Sequence, residues 1–229
     1  MLISAGLDSA VLAAAEARTS RVHPIYVATG LAWEVQERAA LEQLLSVPPL
    51  AGRTAPPATL SFTVSDLYPA THWALRGRPP AFDTPDEDVY LVGRNVALLS
   101  KAAIHCAQHR ITRILLGPLA GNPFPDASPE FFDTMARALS LGLAHPIDIA
   151  TPFASMEKSE VIRLGVELGV PLELTLSCMN PPSPLRGYGE ASSLKALHCG
   201  ECSKCRERRD AFRVAAVADP TTYETVPVR

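Results

Sequence analysis

Two hydrophobic rhythms alternate along the chain. Short apolar runs stand at residues 1–4, 22–28, 60–65, 114–117 and 146–150, and the spacing predicts a buried strand at each. Between them lie segments with helical character. AVLAAAEAR follows Ser9, and residues 33–45 are rich in Ala, Leu and Glu. In residues 94–110, Val96, Leu99, Ala103 and Cys106 share one helical face. Ser128-Pro129 predicts a capped helix start, with Phe132, Met135 and Leu139 facing inward, and Val161, Leu164 and Leu168 mark a helix over 156–168. Four prolines in 46–59 predict an exposed loop, and Pro69, Pro79, Pro80 and Pro85 make 66–90 a long irregular segment. Past Leu174 the alternation stops. Strands alternating with helices predict an α/β fold, a doubly wound parallel sheet covered on both faces. In such sheets ligands bind outside the carboxyl ends of the strands.

Composition sets the bounds. A chain of 229 residues, 47% hydrophobic and 20% charged, is globular and holds one sizeable core or a main domain with an appendage. A net charge of −3 supplies no basic field for nucleic acid or membrane surfaces. No apolar run reaches the roughly 20 residues of a membrane span, and no signal segment opens the chain, so the cytoplasm is expected. Disulfides are rare there, which leaves five cysteines to explain. Cys106, on a helical apolar face, reads as a small core residue.

The sequence SAGLDS, residues 4–9, sits at the first strand-to-helix junction. A tight turn opening a helix aims backbone N–H groups and the positive end of the helix dipole at one spot, which suits phosphate. Gly6 permits close approach, and Ser4 and Ser9 add hydroxyl donors. Asp8 fits beside phosphate if Mg²⁺ bridges the two, or if it caps the helix. Lys158 falls in the first turn of its predicted helix, where a cation opposes the dipole, so it is better used on an anion.

Twenty residues separate Cys178 from Cys199, which opens the cysteine run of HCGECSKC with Cys202 and Cys205. Four thiols suffice for a tetrahedral Zn²⁺ centre that contributes to folding, although Cys-x-x-Cys-x-x-Cys also occurs around iron–sulfur clusters. Gly200 allows a sharp turn between ligands, His198 could substitute for a cysteine but reads better as a neighbour, and RERR at 206–209 reads as a solvated helix face rather than an RNA grip.

SAGLDS resembles the SGGxDS loop of the PP-loop ATP pyrophosphatases, with Ala5 where glycine is usual. Together with the cysteines it is similar to the 7-cyano-7-deazaguanine synthase family, as are LVGRNVALLSKAA, PFPDASPEFF and HCGECSKCRERRDAF. The resemblance implies a PP-loop domain over 1–175 and a zinc-binding lobe with a helix over 176–229. It implies ATP·Mg²⁺ on Ser4, Gly6, Leu7, Asp8 and Ser9, with Arg94 and Asn95 facing nucleotide or substrate. Lys158 and Asp8 become the candidate catalytic residues, Asp126 and Glu130 the candidate contacts to a deazapurine carboxylate that reacts with ammonia. Homodimerisation is implied too. Three stretches depart from the family: ATGLAWE at 28–34, the short AGNPFPDA loop with Ala127 in place of cysteine, and Leu176 in place of tryptophan. They leave open a PP-loop enzyme acting on another carboxylate or base, or a catalytically silent nucleotide- and zinc-binding scaffold.

Overall fold

The computed structural model of the chain describes residues 1–182 and 196–225. Among them the predicted helices form α1 (Leu7–Glu16), α2 (Glu34–Ser46), α4 (Arg94–Gln108), α5 (Pro129–Leu143) and α6 (Lys158–Glu167). A single helical turn, α3 (Trp73–Arg76), interrupts the predicted irregular segment, and α7 (Ser203–Ala215) follows the cysteines.

The strands pair in parallel. β1 (Ile25–Ala28) runs beside β2 (Ala58–Ser61), and β3 (Arg113–Leu115) beside β4 (Asp148–Ala150). Residues 1–3 link the two pairs: the Ile3 N–H donates to the Ile25 carbonyl at 3.0 Å, and the Leu2 N–H to the Leu115 carbonyl at 2.9 Å. β2 begins and ends earlier than the predicted 60–65. Its register pairs Ser61 with Ala28, where its partner strand ends, and beyond that point only isolated bonds from Phe62 and Val64 continue. The proline-rich 46–59 stretch is not wholly exposed, because buried Leu50 pins its turns to the core.

Successive strand residues go to opposite sides, as the two-residue period of an extended chain requires. Leu2, Ile25, Val27 and Ile114 pack with α4 and α5 around Leu99, Cys106 and Phe132, so Cys106 is the buried core residue expected. Met1, Ile3, Tyr26 and Leu115 pack on the other face with α1, α2 and α6. That second core continues without a break into Cys178, Cys199, Cys202, Cys205 and Phe212. A further short parallel pair, β5 (Leu197–His198) and β6 (Thr222–Tyr223), closes the C-terminal part.

One glycine sets the geometry that matters below. A Cβ at Gly165 in α6 would stand 2.8 Å from Val11 Cγ2 in α1. Its absence lets the two helices approach closely enough for the first residue of α6 to reach the first turn of α1.

Candidate active site and metal centre

The loop after residues 1–3 is shaped by its own side chains. Ser4 Oγ accepts the Gly6 N–H at 3.1 Å, while Ser9 Oγ–H lies 3.0 Å from both the Ser4 and Gly6 carbonyls. Gly6 is the N-cap of α1, and among the described residues no side chain caps the helix. Its first-turn N–H groups therefore meet whatever fills the space ahead of them, which favours an anion. Leu7 is buried in the core. Ala5, the departure from the glycine-rich pattern, is fully buried, and its carbonyl accepts the Leu176 N–H at 2.8 Å. Its methyl packs into the core, away from the cavity.

Two cavities adjoin here. One, of about 430 Å³, is lined by Gly6, Asp8, Lys158, Lys204 and Glu207. The other, of about 280 Å³, is lined by Tyr26, Tyr90, Asn95, Phe124 and Asp126. Ser4, Glu37, Arg94 and Gly117 border both.

In the first cavity Lys158 Nζ donates to Asp8 Oδ2 at 3.2 Å and to Glu207 Oε1 at 2.6 Å. Lys204 Nζ donates to Glu207 Oε2 at 2.5 Å. Burial alone would lower the Lys158 pKa, but Asp8 and Glu207 outweigh it and raise it. Burial likewise favours neutral Glu207, yet the two lysines hold its carboxyl down at about 2. Lys158 and Glu207 are thus both charged at neutral pH. Asp8 Oδ1 is buried with no hydrogen-bond partner among the described residues. An orphaned carboxylate oxygen beside an uncapped helix start fits a hard cation bridging to phosphate.

In the second cavity Asp126 and Asn95 are joined to each other. Asp126 Oδ2 accepts the Asn95 backbone N–H at 3.0 Å, and Asn95 Nδ2 donates to the Asp126 carbonyl at 2.8 Å. Burial raises the Asp126 pKa even so. Tyr90 and Phe124 stack with centroids 5.2 Å apart, giving the cavity a flat aromatic wall. Arg94 Nε is buried without a partner among the described residues. Glu130 lies exposed in the first turn of α5 and borders neither cavity.

Glu37 was not singled out from the sequence. Its carboxylate, 8% exposed, accepts the Tyr26 hydroxyl at 2.8 Å, and burial raises its pKa against the pull of Arg94. A signal did exist, because Glu37 precedes Ala40, Leu41 and Leu44 on the apolar stripe of α2. Glu34 fills a local role in the divergent 28–34 stretch, accepting N–H bonds from Thr29 and Gly30.

The four thiols converge. Cys178, Cys199, Cys202 and Cys205 are buried, with all sulfurs within 4.8 Å of one another. Cys202 and Cys205 sulfurs are 3.5 Å apart, Cys199 and Cys205 3.9 Å. Ligands at about 2.3 Å from a tetrahedral ion stand about 3.8 Å apart, so the site fits a metal. N–H groups of Asn180, Cys199 and Glu201 point at the sulfurs from 3.3–3.4 Å. His198 is a neighbour, as expected: it is fully buried, and its Nε2 accepts the Ser177 N–H at 3.1 Å. Burial lowers its pKa to about 3, which keeps it neutral.

The RERR run departs from its solvated reading. Arg208 is fully buried and donates to Thr175 Oγ1, Ser177 Oγ, the Leu172 carbonyl and Thr221 Oγ1 at 2.6–3.1 Å. Arg206 pairs with Asp86 at 3.2 Å, and Arg209 lies over the Tyr223 ring. α7 packs against α6 and over residues 172–177, so its basic residues meet partners from other elements.

Residues 1–216 match the family profile described as queuosine biosynthesis protein QueC. The chain is 31% identical over 245 residues to the 7-cyano-7-deazaguanine synthase of Methanopyrus kandleri, covering 97% of both chains. It is 34% identical over 233 residues to that of Anaeromyxobacter dehalogenans, covering 97% of this chain and 94% of the relative. It is 31% identical over 232 residues to that of Methanothrix thermoacetophila, covering 97% of both.

Proposed function

The chain belongs to the QueC family of queuosine biosynthesis proteins, and from that premise we propose that it converts 7-carboxy-7-deazaguanine and ammonia to 7-cyano-7-deazaguanine at the expense of ATP. The observation that carries this reading is the meeting of Ser4 and Gly117 at the border of both cavities. We read residues 1–3 and β1–β4 as one doubly wound sheet in the order β2, β1, 1–3, β3, β4. Its direction of winding reverses between 1–3 and β3, and Ser4 and Gly117 follow those two strands. Ligands of such sheets bind at that reversal.

In this reading the triphosphate lies against the start of α1 and the deazapurine ring faces Asp126, whose carboxylate accepts ring N–H groups. The substrate carboxylate attacks the α-phosphorus, pyrophosphate leaves, and the acyl adenylate is opened by ammonia to the amide. A second adenylation, on the amide oxygen, permits dehydration to the nitrile. The protein's part is positioning and electrostatics: backbone N–H groups of α1 hold phosphate oxygens, and Lys158 stabilises charge developing on the leaving group. Asp8 Oδ1 would hold magnesium, which when bound offsets phosphate charge. The four cysteines would hold zinc as a closed structural centre. Glu130, exposed in this form, reaches substrate only if the start of α5 moves inward.

No helix among the described residues is long and apolar enough to cross a membrane. A cytoplasmic location suits five free thiols, and homodimeric assembly completes the proposal. Incubation with ATP, ammonium and 7-carboxy-7-deazaguanine, followed by mass spectrometry, tests it. The nitrile with AMP and pyrophosphate is expected. Amide alone would limit the enzyme to the first adenylation, and intact ATP would overturn the reading.

A further inference from the structure

Resting on the nucleotide reading above, we propose that the cysteine-bearing region completes the phosphate site. Lys204 is a second phosphate-binding lysine for the pyrophosphate end of the nucleotide, and Glu207 is the positioning residue that holds Lys158 and Lys204 toward it.

The geometry is that of one carboxylate shared by two ammonium groups. Glu207 takes Lys158 on Oε1 at 2.6 Å and Lys204 on Oε2 at 2.5 Å, and Lys158 continues to Asp8 at 3.2 Å. All four side chains border the cavity in front of Gly6. A strut between α6 and α7 needs only Lys158 and Glu207. Lys204 lies three residues before Glu207 on the same helix and adds no link between elements.

Its position is otherwise unfavourable. Lys204 is in the first turn of α7, as Lys158 is the first residue of α6, and a cation at a helix N-terminus opposes the helix dipole. Three helix starts, those of α1, α6 and α7, thus turn first-turn residues into one cavity, and two of them carry a lysine there. An anion in that cavity satisfies both dipoles and lysines together.

Donor capacity remains to do so. Each ammonium has three N–H donors. Among the described residues Lys158 uses two and Lys204 one, leaving three for phosphate oxygens. With side chains only 18–26% exposed, these charges are poorly served by water and weakly screened. Cys202, the N-cap of α7, and Cys205 bracket Lys204, so a metal on the four thiols also fixes the backbone that presents this lysine.

The test is calorimetric titration of the metal-loaded full-length chain with magnesium pyrophosphate and, separately, with AMP, which lacks the pyrophosphate end. Lys204→Met is expected to weaken pyrophosphate about tenfold or more, the scale of one charge-assisted contact, and to leave AMP within about twofold. Lys204→Arg should restore most of the loss. Glu207→Gln should weaken pyrophosphate without affecting AMP, since both lysines lose their common anchor. Unchanged pyrophosphate affinity in Lys204→Met, or equal losses for both ligands, overturns the inference. If the wild-type chain binds neither ligand, the nucleotide reading itself falls and takes the inference with it.

Discussion

Asn95 and Asp126 hold each other by two hydrogen bonds, backbone N–H to carboxylate at 3.0 Å and side-chain amide to carbonyl at 2.8 Å. The start of α4 and the 125–127 turn are thereby locked together at the rim of the second cavity. Asp126→Asn preserves shape and keeps an acceptor for the Asn95 N–H. Because burial already disfavours the charged carboxylate, the variant should match wild-type stability within about 1 kcal/mol. Its Michaelis constant for the deazapurine acid should rise about tenfold or more, with that for ATP unchanged. Steady-state kinetics varying each substrate in turn check this, and an unaltered constant for the acid would remove Asp126 from the recognition site.

Arg208 sets a sterner stability test. Its guanidinium joins Leu172, Thr175 and Ser177 to Thr221 from a fully buried position, with its charge near the Phe212 ring. Arg208→Met should lose on the order of 3 kcal/mol in urea denaturation, since it strands several buried acceptors. Arg208→Lys should recover little of it, because a compact ammonium cannot span four acceptors. Wild-type midpoints in both variants would mean that the network is incidental.

These residues show where the sequence was legible. The opening loop, the cysteine set and the helices α1, α2, α4, α5 and α6 announce themselves by local pattern. A strand end is different: β2 stops at Ser61 because its neighbour stops at Ala28, a fact of pairing and not of composition. Arg208 sits in a charge run that resembles any exposed helix face, and only the crossing of α7 over residues 172–177 buries it. Lys158 was legible as a cation in need of an anion. Its meeting with Asp8 depends on Gly165 letting α6 approach α1, and Glu207 arrives from a third element. Contacts between elements distant in sequence leave no periodic trace.

Ala5 gives a prediction against family habit. Restoring glycine by Ala5→Gly removes a fully buried methyl and loosens the backbone, and should cost about 1–2 kcal/mol of stability. ATP affinity should not improve, because the methyl packs in the core. Thermal unfolding with and without ATP checks both parts, and a tighter-binding variant would show that the methyl does crowd the phosphate.

At Gly200 the backbone has φ +85°, and a Cβ would lie 1.8 Å from the Thr225 carbonyl oxygen. Gly200→Ala must therefore displace either the 199–202 turn or the final residues described. The variant should bind less than its full complement of metal, and a strong chelator should unfold it at lower denaturant concentration than wild type. Elemental analysis, expected to find one zinc per wild-type chain, decides the matter. Full zinc occupancy in the alanine variant would refute the role given to this turn.

Glu37 supplies the pH dependence. Burial, the largest influence, raises its pKa above the ordinary 4.5, although Arg94 and the Tyr26 hydroxyl pull the other way. Between 4.5 and the raised value the folded chain holds a proton that the unfolded chain has released. Stability contributed by this group therefore falls as pH rises through that window, and its cost is fully present above it. Glu37→Gln retains an acceptor for Tyr26 and removes the buried charge. Its melting temperature relative to wild type should climb as pH is raised from 4.5, then level off once wild-type Glu37 is ionised. A difference that stays constant across the range, or shrinks with rising pH, would show that Arg94 compensates the buried carboxylate in full. Glu37 would then be held as one half of a matched ion pair at the border of the two cavities.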